Sequence, residues 1–109
     1  MDTKKRKRLE AQGWRVGTAQ EFLGLTAAEA ELVDMRVSLG ASLRTRRERA
    51  RLTQTAVARR LKSSQSRVAK MEAGDPTVSF DLLIRAHLVL GAKRSDIGRS
   101  LARDVAAAV

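Results

Sequence analysis

The sequence has no cysteine. That excludes disulfides and thiolate metal sites, and it suits a reducing cytosol. A single histidine, His87, leaves no second imidazole to share a metal. Three residues are aromatic, Trp14, Phe22 and Phe80, and none is tyrosine. A core must therefore come from Leu, Val, Ile and Ala. Proline occurs once, and no segment alternates apolar and polar residues for long, so a sheet protein is not expected. No apolar run approaches the ~20 residues of a membrane span. No signal-peptide core follows the basic N-terminus, so export is not expected. No Gly-rich phosphate loop follows a strand pattern. The twelve carboxylates are scattered, mostly beside arginines, and show no paired acid–base site. No enzyme activity, cofactor or small-molecule ligand is indicated.

What is abundant is positive charge. Twenty-two Lys and Arg against twelve Asp and Glu give +10 on 109 residues. Such an excess implies a polyanionic partner, nucleic acid first and an anionic membrane surface second. The hydrophobic fraction, 43%, supports one core, and the length suits one domain.

Residues 4–8 read KKRKR. This run is either a solvated arm, a minor-groove arm or a partner-binding tail. Thr18-Ala-Gln-Glu21 and Thr26-Ala-Ala-Glu29 each have capping-box form, in which the hydroxyl and the glutamate satisfy free N–H groups at a helix start. They predict a short helix over 19–23 and a long one from 27 to about 50. Leu32, Met35 or Arg36, Leu39 and Leu43 follow a helical period in the long one, with Val33 and Val37 alongside. Gly40 lies within it, so a bend near 38–41 is an option. Trp14, Val16, Phe22, Leu23 and Leu25 form an apolar group, either packed on the long helix or on a second subunit, or serving as a docking surface for a partner protein.

Three short helices follow, each with a hydroxyl cap. Thr53 starts one through Leu61, Ser64 one over 65–73 that Gly74 stops, and Ser79 one over 80–90 that ends at Gly91. Ser95 is the expected cap of a last helix with Ile97, Leu101 and Val105. The reading is all-α. Within Gln54–Ala73, Val57, Leu61, Val68 and Met71 let two helices pack face to face, and small Ala58 permits close approach. A crossed pair with a tight turn is what a helix-turn-helix requires.

The stretch LTQTAVARRLKSSQSRVAKMEAG, 52–74, resembles the helix-turn-helix of the phage-repressor-like (XRE/Cro) transcription regulators. The resemblance covers about 39–92 and is closest to HigA-like antitoxin-type members. It implies a lambda-repressor-like DNA-binding domain with short N- and C-terminal helical extensions. The expected division is a basic arm and short helix at 1–25, the domain at 26–92 with its motif at 54–73, and a C-terminal helix at 93–109.

The resemblance also implies roles. Gln65, Ser66 and Lys70 match positions that reach base edges, and Arg67 suits a base or a phosphate. Glutamine pairs adenine bidentately and lysine reaches guanine. Gln54 matches a phosphate contact, with Thr53, Lys62 and Ser64 beside it. Arg47 and Glu72 match a structural ion pair, and Ala58, Val68 and Met71 match packing positions. The sequence departs from the family where Arg51 and Lys62 stand in place of glycine and Ala56 in place of a glutamate. His87 stands where an aliphatic residue is usual, and burial is expected for it. The implied function is a cytoplasmic, homodimeric repressor of double-stranded DNA at a palindromic operator. The alternative is an antitoxin that neutralises a small toxin protein and represses its own operon.

Overall fold

The structure, a computed structural model, describes residues 26–103. The basic run 4–8, the short helix at 19–23, the Trp14 group, Val105 and Val109 lie outside the described residues. The chain divides into two compact units, Met1–Leu32 and Val33–Val109. Among the described residues there are five helices and no strand: α1 (Ala27–Arg49), α2 (Gln54–Leu61), α3 (Gln65–Glu72), α4 (Phe80–Val89) and α5 (Arg94–Ala102). The all-helical expectation is met.

In the first unit, the Thr26 hydroxyl accepts from the Glu29 N–H at 3.1 Å and donates to the Glu29 carboxylate at 2.9 Å. The glutamate thus takes the hydroxyl proton rather than a backbone N–H.

In the second unit, α1 runs through Gly40 without a break. A Cβ at Gly40 would lie 2.9 Å from the Glu72 carbonyl oxygen and closer still to that of Met71. Gly40 is therefore the point where α1 touches the end of α3. Leu39 and Leu43 share a buried cluster with Met71, Val78, Leu83, Ala86, Ala92 and Ile97. Each fully buried Leu or Met contributes about 2 kcal/mol. Val57, Ala58 and Val68 form a second cluster between α2 and α3, and Leu61 and Leu90 pack on both. Leu32, Val33 and Val37 remain exposed, so the large apolar side chains that α1 gives to the core come from its later half, Leu39 and Leu43.

The hydroxyl caps at Thr53, Ser64 and Ser79 accept from Ala56, Arg67 and Leu82. Gly74, at φ 72, follows the last residue of α3's cap. Arg51 and Lys62 adopt φ 57 and 52, the left-handed region, at about 1 kcal/mol each. Ser95 is not a cap. The helix starts at Arg94, because the Asp96 carboxylate accepts the Lys93 N–H at 2.7 Å. That hydrogen bond, then Arg99 and Arg46, holds the Asp96 carboxyl below its usual range.

His87 is buried, with Nε2 3.0 Å from the Leu39 carbonyl oxygen. A carbonyl only accepts, so Nε2 carries the proton. Burial pushes the His87 pKa below 6.5; the Leu39 bond opposes this and Arg46 assists it. The unfolded chain therefore protonates first on acidification. Stability should be full above pH 6.5 and fall as pH drops towards the folded pKa. The urea midpoint is expected to be lower at pH 5 than at pH 7.5. His87→Leu should remove that difference, since no other histidine is present. Equal wild-type midpoints at the two pH values would contradict a neutral native imidazole.

Candidate nucleic-acid interface

α2 and α3 form a crossed pair joined by the turn at 62–64. On α3 the buried side is Val68 and Met71, facing α2 and the core. Gln65, Ser66, Arg67 and Lys70 are exposed on the other side. Arg59, Arg60 and Lys62 are exposed nearby. None of these five cations has a carboxylate partner among the described residues.

A chain of polar contacts fixes α3. Arg47 donates from Nε to Glu72 Oε2 at 2.6 Å, from Nη2 to Oε1 at 3.0 Å, and from Nη1 to the Leu52 carbonyl at 3.0 Å. The hydrogen bond to Glu72 raises the Arg47 pKa, so the guanidinium stays charged. Gln54 Nε2 donates to Glu72 Oε1 at 3.1 Å, and Gln54 Oε1 accepts from Gln65 Nε2 at 2.6 Å. A carboxylate only accepts, and this sets the sense of the whole chain. Gln54 must turn its NH₂ to Glu72 and its oxygen to Gln65. Gln65 is left with its own Oε1 and one further N–H for an external partner. That donor–acceptor pair is the one an adenine edge requires.

The hydroxyls of Thr53 and Ser64 use lone pairs as helix caps. Each cap leaves the hydroxyl hydrogen to donate. Ser64 Oγ lies 3.2 Å from Ser66 Oγ. Lys62, at the left-handed end of α2, is exposed between the two helices. The structure thus gathers Gln54, Gln65 and Glu72 into one network, which no sequence period shows. Gln54 and Gln65 both start their helices, and that shared position was the only available signal. Arg36, which the helical period marks only as an alternative to Met35, lies 4.5 Å over the Phe80 ring and donates to the Val78 carbonyl at 3.3 Å. No group of His and carboxylates able to hold a metal occurs among the described residues. Nor is any described helix long and apolar enough to cross a membrane.

No curated protein and no solved structure matches the chain. A family model described as a helix-turn-helix domain matches residues 38–99, which takes in the Arg47–Glu72 pair, α2, the turn, α3, α4 and most of α5. With more than half of its length so matched, the chain belongs to the helix-turn-helix domain family of DNA-binding proteins.

Proposed function

We propose that the protein is a sequence-specific repressor of the XRE/Cro type that binds a palindromic operator as a cytoplasmic homodimer. The observation that carries this reading is Gln65, exposed at the start of α3 and held by Gln54 with one donor and one acceptor left uncommitted. Gln65, Ser66 and Lys70 read bases, Arg67 serves a base or a phosphate, and Gln54, Thr53, Lys62 and Ser64 grip the backbone. In this reading residues 1–25 are a basic arm and short helix, 26–92 the domain and 93–109 a C-terminal helix. One short helix discriminates little. Two copies place two such helices one duplex turn apart, about 34 Å. Leu88, Val89 and Leu101 are exposed and offer a dimer face, whereas Ile97 is spent in the core.

Gel-shift titration on the chain's own promoter tests the reading. Binding should fall steeply with salt as counterions are released. Gln65→Ala and Lys70→Ala should each relax preference at particular base pairs, with ~1–3 kcal/mol of discrimination lost per contact. Uniform weakening on all sequences would assign those side chains to phosphate. Equal affinity for random and promoter DNA would sink the sequence-specific reading.

A second reading is an antitoxin, in which Val33 and Val37, exposed one turn apart on α1, dock a toxin protein. Co-purification with the product of the adjacent gene distinguishes it. Failure of capture, with no toxicity to suppress, removes this reading.

A further inference from the structure

α1 and α5 border two overlapping, solvent-open concavities of about 640 and 580 Å³. Ser42, Arg46, Arg49 and Arg103 line both, and Arg99 and Asp96 line the second. Thr45 and Arg49, two residues either side of Arg47, both border this cleft or its larger lobe. Two residues along a helix is roughly 160–200° around it. The cleft therefore opens on the side of α1 away from Glu72 and α3.

Four arginines line the cleft beside one carboxylate, Asp96, which only Arg46 and Arg99 reach. That carboxylate is largely committed, since Asp96 already accepts from the Lys93 N–H and from Arg99. Arg46 Nη2 reaches it only at 3.5 Å. Arg46 Nε is buried with no hydrogen-bond partner among the described residues. Arg49 and Arg103 have no carboxylate partner among the described residues. Crowded like charges are unfavourable, and an anion in the cleft relieves them.

We infer that this cleft binds a small organic diphosphate of the nucleoside diphosphate class. Guanidinium forks match phosphoryl oxygens bidentately, which ammonium groups do not. The volume is that of a small-ligand site. The lining is polar apart from Ala50 and Leu90 in the larger lobe, which meet the organic portion. The arginines lie 46 to 103 residues along the chain, so no local motif announces them.

Calorimetric titration of the full chain with ADP tests the inference, with citrate at matched ionic strength as the carboxylate control. ADP should saturate at one per chain and bind at least tenfold more tightly than citrate. Inorganic pyrophosphate separates the bare diphosphate from the nucleotide, and weaker binding than ADP is expected. Arg49→Ala with Arg103→Ala, both exposed positions, should weaken ADP at least tenfold without lowering the melting temperature. Arg67→Ala with Lys70→Ala should leave ADP affinity unchanged. No saturable ADP binding, parity of citrate or pyrophosphate with ADP, or equal loss in both double variants would overturn the proposal. The site is independent of the DNA-reading proposal, and duplex binding without ADP measures that face separately.

Discussion

Arg47→Ala is expected to lower the unfolding free energy by about 3 kcal/mol. The side chain is 14% exposed and its partner Glu72 only 5%. Three hydrogen bonds leave with the guanidinium: two to Glu72 and one to the Leu52 carbonyl. What remains is a carboxylate in a low-dielectric position, with Gln54 as its one donor. An uncompensated buried charge is the reason that breaking such a pair costs more than forming it gains. A domain this small has about 5–10 kcal/mol to lose from, so the urea midpoint should drop visibly. The paired change Arg47→Met with Glu72→Leu removes both charges and should recover most of the loss. If the double variant is as unstable as the single one, shape at this position matters more than charge.

The second large effect is expected at Gly40. Alanine favours a helix interior over glycine by about 1 kcal/mol, so Gly40→Ala would stabilise an open position. Here the new methyl group meets the carbonyl oxygens of Met71 and Glu72, which belong to backbone and have no rotamer to adopt. Overpacking of this kind costs about 1–3 kcal/mol and outweighs the propensity gain. Urea denaturation should give a net loss of about 2 kcal/mol. Gly98→Ala is the internal control: its Cβ meets nothing within 4 Å on α5, so a small gain of about 0.5–1 kcal/mol is expected. Stabilisation by both substitutions would show that α1 and α3 separate without cost.

These two positions also mark what the sequence made legible. Helix caps were readable because a hydroxyl before an apolar run satisfies a local N–H, and Thr53, Ser64 and Ser79 do this. Ser95 misled for the same reason: an acidic side chain one residue on, Asp96, supplied the acceptor from inside the helix. The inward side of α3, Val68 and Met71, followed from spacing alone. Gly40 did not. Within one helix a glycine is only a weak point, and its value appears when another backbone arrives from 31 and 32 residues away. The Gln54–Gln65 contact and the four-arginine cleft share that limit, since both join helices whose relative placement no periodicity encodes. Lys62 and Arg51 fell between: the missing glycines were visible, and the left-handed backbone shows that the chain keeps the turn and accepts the strain.

α3 is held at its C-terminal turn and at its middle, where Val68 is buried against Val57 and Ala58. Its C-terminal turn meets Gly40, and Glu72 is held by Arg47 and Gln54. Its N-terminal end is joined to the rest through Ser64 and the single Gln54–Gln65 bond. Only the first turn, about 5 Å from Val68 to Gln65, therefore projects beyond the packed part of the helix. A tilt of roughly 12° about Val68 would swing Gln65 by roughly 1 Å, enough to break a bidentate contact. Gln54 acts as the stay near the free end, and Gly40 sets the angle from which that end projects.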